Sequence, residues 1–265
     1  MNAIDNQNSE SFLIDESTLD SPLNRLVENL TEEFKNVQPE GFTGNGQVIV
    51  SLLTEYINNH NDWKEYVFYC PYSYSRNLIA KNDMFELMVI CWRRGQPSPV
   101  HNHEDQRCWM GCVKGQLEET YYVFSDTKST KGEGLLEQSY THPIDNGSVG
   151  YITDEIAFHR MQSITDETIS IHLYSKPITE CNIYCPDKGT ITRKKLGYFT
   201  QYKKKVLNLP TASCGSVQPL SSTPIPQSIN NTTSNNSTTV SECLNSNSNS
   251  TTTNLSSSSS SVSLI

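Results

Sequence analysis

No run in this 265-residue chain reaches the roughly 20 apolar residues that a helix needs to cross a bilayer. The amino terminus, Met-Asn-Ala-Ile-Asp-Asn-Gln-Asn-Ser-Glu, lacks both the basic start and the apolar core of a secretory signal. A cytoplasmic protein with no membrane partner is therefore expected. Basic residues are scarce: the net charge is -9, and residues 1–40 alone hold nine acids against Arg25 and Lys35. Without a Lys/Arg stripe to follow a phosphate backbone, nucleic acid is excluded as the main partner. The short run Lys203 to Lys205 reads as the solvated end of an element. Eight cysteines are present, but none forms a Cys-x-x-Cys pair, so neither a zinc ribbon nor a disulfide framework is expected in a reducing compartment. There is no internal repeat.

From Thr211 to Ile265, 35 of 55 residues are Ser, Thr or Asn, the only charge is Glu242, and aromatics are absent. Such a composition buries too little apolar surface to offset the entropy of ordering, so residues 210–265 are expected to be a disordered tail. Residues 1–20 read as a flexible acidic segment. One domain, 21–209, is left.

Within it, Ser21-Pro22 followed by Leu23, Leu26, Val27, Leu30, Phe34 and Val37 spells a capped amphipathic helix. Residues 47–58 and 62–66 read as two more helices, giving a helical part over 21–66. After Met84 the pattern changes to short apolar or alternating runs separated by turn residues: Phe85 to Trp92, Cys108 to Val113, Leu117 to Phe124, Gly150 to Thr153 and Thr168 to Tyr174. Helices first and strands after predict a mainly β fold, a jelly-roll β-barrel over 84–200 with the N-terminal helices packed at one end.

The stretch from Gly95 to Gly115 holds His101, His103 and Cys108. In an extended segment side chains two residues apart point the same way, so His101 and His103 aim at one point and read as a metal clamp on a strand. The spacing is like the first cupin motif, Gly-x5-His-x-His-x3,4-Glu-x6-Gly, with Cys108 in place of the Glu. A third ligand has to come from His60, His142, His159 or His172. His159 is the best placed, because it follows a predicted strand about fifty residues downstream, where a second cupin motif is expected. The match to that second motif is loose. In Thr168 to Tyr174, alternation puts Ser170, His172 and Tyr174 on one face and Ile169, Ile171 and Leu173 on the other. Three polar side chains directed into a barrel need partners, and a polar active site would supply them.

Together Tyr74-Ser-Arg76-Asn77, Leu87-Met-Val-Ile-Cys-Trp92, His101-x-His103-x4-Cys108, His159-Arg160 and Ser170-Ile-His172-Leu-Tyr174-Ser resemble the cysteine dioxygenase family, over residues 23 to 200. The resemblance implies one Fe(II) per chain on His101, His103 and His159, with L-cysteine and O2 as substrates and cysteine sulfinate (3-sulfino-L-alanine) as product, the first step of cysteine catabolism toward taurine and sulfate. It implies Arg76, with Tyr74 beside it, on the substrate carboxylate. It implies a Cys108–Tyr174 thioether as a protein-derived cofactor, with His172 and Ser170 positioning the tyrosine. The protein is expected to be a monomer. Read without it, Arg76 is a solvent arginine in a loop, Cys108 a small buried hydrophobe and Tyr174 a core tyrosine. The rival readings are a related thiol dioxygenase acting on 3-mercaptopropionate or cysteamine, a zinc or manganese cupin isomerase, which would want the missing carboxylate, and a non-catalytic metal-binding cupin.

Overall fold

The structure is a computed structural model that describes residues 20–37, 41–125 and 135–206. The expectations for residues 1–19 and for the Ser/Thr/Asn-rich tail, 210–265, lie outside them.

Ser21 caps the first helix, α1 (Pro22–Lys35), accepting from the Asn24 amide at 3.2 Å, and Pro22 takes the first helical position, where no amide hydrogen is needed. Helix α2 (Gln47–Asn59) buries Ile49, Leu53, Tyr56 and Ile57, and a 3-10 turn over Asp62–Tyr66 buries Trp63. Asp62 fastens the helical layer: one carboxylate oxygen accepts from the Leu23 amide at 2.8 Å and the other from the Tyr56 hydroxyl at 2.7 Å.

Thirteen strands follow among the described residues: β1 (Ser75–Lys81), β2 (Glu86–Arg93), β3 (Val100–His101), β4 (Cys108–Lys114), β5 (Gln116–Phe124), β6 (Leu136–Asp145), β7 (Val149–Ile152), β8 (Phe158–Ser163), β9 (Glu167–Tyr174), β10 (Glu180–Cys185), β11 (Thr190–Lys195), β12 (Thr200–Gln201) and β13 (Lys204–Lys205). They form one sheet in the order β13-β12-β1-β2-β9-β4-β7 and another in the order β11-β10-β3-β8-β5-β6. Every pairing is antiparallel except that of β1 with β12. This is the jelly roll that the sequence predicts.

The helices lie over the outer face of the seven-stranded sheet. There Leu87, Val89 and Cys91 of β2, Trp109 of β4, and Ile169, Ile171 and Leu173 of β9 join Leu30, Leu53 and Tyr56 in one core. The inner face carries Met88, Ile90 and Trp92, then Cys108, Met110 and Cys112, then Tyr174. Strands β2 and β9 are thus buried on both sides, which is why Leu87 to Trp92 reads as a continuous apolar run rather than an alternation. Strands β6 and β11 keep mostly exposed or half-buried side chains. Their runs therefore carry no strong apolar signal.

At the end of the histidine motif, Gly115 turns β4 into β5 at φ +77°, and a Cβ there would lie 2.6 Å from the Glu167 carbonyl oxygen. Only glycine fits this turn. The motif's other end, Gly95, also has a positive φ, +82°.

Candidate metal centre

The first ligand candidate stands on the shortest strand of its sheet. In β3, His101 pairs with His159 of β8 on one side and with Ile183 of β10 on the other. Cross-strand pairing alone therefore puts two imidazoles from positions 58 residues apart on neighbouring backbones. His103 differs from the expectation of a clamp lying wholly on a strand, because β3 ends at His101. Its backbone amide is instead held by Asp154, at 2.6 Å, and the other oxygen of Asp154 takes the Asp105 amide at 2.9 Å. Glu104 and Asp105 adopt positive φ, 55° and 59°, in the loop so pinned. A carboxylate satisfying two amides offsets the strain of such a loop.

The three rings converge. Their donor nitrogens all lie within 4.8 Å of one another, and ring centroids are 5.2 Å apart for His101 and His103, 4.6 Å for His101 and His159, and 4.7 Å for His103 and His159. Nδ1 of His101 donates to the Pro99 carbonyl at 2.9 Å, which leaves its Nε2 with a lone pair. Nδ1 of His159 lies 2.6 Å from the Glu119 carboxylate, the usual outer partner of a metal-bound imidazole. The two Nε2 atoms then stand 3.3 Å apart, lone pair toward lone pair. A divalent cation bound between them would relieve that repulsion. His103 is 1% exposed; its Nδ1 lies 3.5 Å from the Asp154 carboxylate, and its Nε2 has no hydrogen-bond partner, which is costly for a buried polar atom without a ligand. Burial, with His103 nearby, lowers the His101 pKa to about 3, and burial with His101 and His103 lowers that of His159 well below its usual value. Both rings are neutral donors. The donor set fits a divalent transition metal such as iron.

Glu119 is itself fully buried, and burial pushes its carboxyl up to about 8. A cation held by His159 would oppose that shift by favouring the charged form. The same carboxylate lies 3.2 Å from Nε2 of His142, so His142 belongs to the outer layer of the site and not among the ligands. His60 sits near Glu55 at 3.5 Å, among the helices.

A pocket opens beside the histidines, walled by Tyr74, Arg76, Trp92, His172, Tyr174 and Cys181. Tyr74 stacks on Trp92 with ring centroids 4.7 Å apart. The Trp92 indole donates to Ser170 Oγ at 2.9 Å, and Ser170 Oγ is 2.9 Å from Nε2 of His172. Ser170 and Trp92 thereby fix the His172 ring, whose centroid lies 6.3 Å from that of Tyr174. Cys108 is the direct partner of Tyr174 across β4 and β9.

Arg76 is not the solvent arginine in a loop that an unaided reading expects: it is the second residue of β1 and is 9% exposed. Its Nη2 donates to Glu86 at 3.0 Å, its Nε points at Met88 Sδ at 3.3 Å, and its Nη1 makes a long contact of 3.5 Å to the Gly197 carbonyl. Burial opposes the charge, but Glu86 and the surrounding tyrosines outweigh it and hold the guanidinium above its ordinary pKa.

Three residues of the site escape a reading by motif. Glu119 is one, although it alternates in phase with Leu117 and so marks an acid on the inward face of β5. Asp154 sits in a turn with no periodic signal. Glu86 stands inside the apolar run of β2, and an acid there is itself an anomaly.

Two sheets, antiparallel in every pairing but one, with three converging imidazoles between their strands define a cupin fold carrying a candidate metal site. The cysteine dioxygenase type I family model matches residues 21–187, more than half of the chain, and the protein belongs to that family. The cysteine dioxygenase type 1 of Homo sapiens is 30% identical over 181 residues, covering 66% of this chain and 85% of the relative. That of Danio rerio is 30% identical over 164 residues, covering 61% and 80%. Among solved structures, an RmlC-like cupin from Desulfovibrio desulfuricans overlaps 45% of this chain and 98% of its own at a TM-score of 0.34 and 17% identity. Ectoine synthase from P. lautus overlaps 46% and 77% at a TM-score of 0.32 and 13% identity. Overlaps this partial bear no weight beside the family match. Among the described residues no helix is long and apolar enough to cross a membrane.

Proposed function

We propose that the protein is a cysteine dioxygenase, oxidising L-cysteine with O2 to 3-sulfino-L-alanine on one Fe(II) held by His101, His103 and His159. The convergence of three neutral imidazoles beside a buried arginine, in a chain of this family, carries the reading. Held by uncharged nitrogens, ferrous iron keeps its full charge, favours the thiolate form of a bound thiol and supplies the place where dioxygen meets sulfur. The sulfur provides all the electrons that dioxygen needs, so no outside reductant enters the reaction.

The chain's own residues orient the substrate and exclude competitors. Arg76 presents donors to the substrate carboxylate from the pocket wall, with the stacked Tyr74 and Trp92 forming another part of the lining. Burial, and Cys108 beside it, raise the Tyr174 phenol well above its usual pKa, so its hydroxyl stays protonated and can donate to the reacting atoms. His172, lowered to about 3 by burial and by the Arg76 charge, is neutral and held by Ser170. A thioether between Cys108 and Tyr174 would fix the phenol ring and remove a thiol that competes for the metal. The protein acts as a cytoplasmic monomer in this reading.

The test is oxygen uptake by iron-loaded protein given L-cysteine, with the product identified and the metal counted. One iron per chain, and one cysteine sulfinate formed per dioxygen consumed, are expected. Protein that holds iron yet leaves dioxygen unconsumed overturns the reading.

A further inference from the structure

Arg76 already has a counterion before any ligand arrives. Glu86 is 0% exposed, and its carboxylate accepts from Arg76 Nη2 at 3.0 Å and the Ile178 amide at 3.3 Å on one oxygen, and from the Tyr198 hydroxyl on the other. The pocket is lined by Arg76 but not by Glu86, which stands behind it. Glu86 thus acts on a ligand only through the guanidinium.

The consequence concerns which thiols are tolerated. A buried guanidinium with no counterion makes a carboxylate on the ligand obligatory, because a ligand without one leaves a desolvated charge unpaired. A guanidinium paired with Glu86 is spared that penalty. Its Nη1, engaged only at 3.5 Å by the Gly197 carbonyl, still has donors for a carboxylate that does arrive. We propose that Glu86 is a specificity-determining residue: as the resident counterion of Arg76 it narrows the gap between thiols that carry a carboxylate and thiols that do not.

The proposal rests on the thiol-oxidation reading above, and one set of measurements separates the two. Dissociation constants for L-cysteine and cysteamine are measured by anaerobic titration of iron-loaded wild type and Glu86→Gln, and kcat/KM for both by oxygen uptake. In Glu86→Gln the preference for cysteine over cysteamine rises by at least about tenfold, the low end of what an opposite charge at this distance is worth. The rise appears as tighter binding of cysteine. An unchanged or smaller preference overturns the proposal.

Wild type gives an arm that does not depend on the variant folding. Its binding gap between the two thiols stays below about ten-thousandfold, the discrimination typical of a site whose buried polar groups are left unpaired by the wrong ligand. A gap at or above that size overturns the assignment of Glu86. Turnover of cysteine with an unmoved preference removes Glu86 alone, whereas absence of any cysteine-dependent oxygen uptake removes the functional reading and this proposal with it.

Discussion

Cys108 and Tyr174 face each other directly across β4 and β9, both on the inner side of the barrel, at 1% and 8% exposure. Burial raises the pKa of each well above its usual value, and each is raised or lowered further by the other. A neutral thiol and a neutral phenol held as cross-strand neighbours are in the right register to be joined by an oxidation that removes one hydrogen from each. The register comes from the pairing of β4 with β9.

The expected outcome is that protein taken through turnover with iron, L-cysteine and dioxygen separates into two species on a denaturing gel, one carrying a peptide joined through Cys108 and Tyr174. Cys108→Ser protein gives a single species. Two species from Cys108→Ser would show that the heterogeneity has another origin.

Removing the arginine has two separable effects. Arg76→Gln raises KM for L-cysteine by about a hundredfold, the scale of a lost hydrogen bond to a charged group. It also leaves Glu86 buried without its cation, at a cost to stability of about 3 kcal/mol. Arg76→Gln combined with Glu86→Gln recovers most of that stability in urea unfolding but none of the KM. Recovery of KM in the double variant would take Arg76 out of substrate binding.

The outer carboxylate of the metal centre is open to a graded test. His159→Ala abolishes stoichiometric iron binding. Glu119→Gln keeps a hydrogen-bond acceptor for Nδ1 of His159 but lacks the charge, and iron affinity falls by about tenfold to a hundredfold. Competition with a chelator measures both, and wild-type affinity in Glu119→Gln would leave Glu119 a merely buried acid.

Acid should destabilise the fold through His172. Burial, then the Arg76 charge, lower its pKa to about 3, so the folded protein refuses a proton that an unfolded imidazole accepts near 6.5. Above about pH 6.5 the residue contributes no pH dependence; as the pH falls from there toward about 3 the unfolded state gains protons that the folded state does not, and stability drops by up to about 1.4 kcal/mol per pH unit. Urea unfolding of wild type and His172→Gln across that window should show the steeper loss in wild type. Parallel curves would mean that His172 is protonated in the folded state.

The legible parts of the fold were those where one face of an element differs from the other. Helix α1 announces itself by Ser21, Pro22 and the spacing of Leu23, Leu26 and Leu30. Strand β9 does so by the alternation that puts Ser170, His172 and Tyr174 inward. Strands β6 and β11 were not legible, since the outward faces of their sheet have no helical cover and their side chains are mostly polar. Strand β1 was missed for a different reason. Its buried positions include Ser75, Arg76 and Asn77, polar groups satisfied largely by partners outside the strand, such as the Phe68 carbonyl and Thr200.

Residue type and spacing by themselves determined the mainly β architecture, His101 and His103 as ligand candidates, and the inward face of β9. Only the tertiary structure decided that β3 stops at His101, that Asp154 holds the loop carrying His103, that Glu119 backs His159, and that Arg76 is already paired with Glu86. Periodicity specifies which way a side chain points, because that follows from the backbone's own repeat. It does not specify what lies opposite, because the partners of a buried charge come from segments whose separation in the chain carries no local signal.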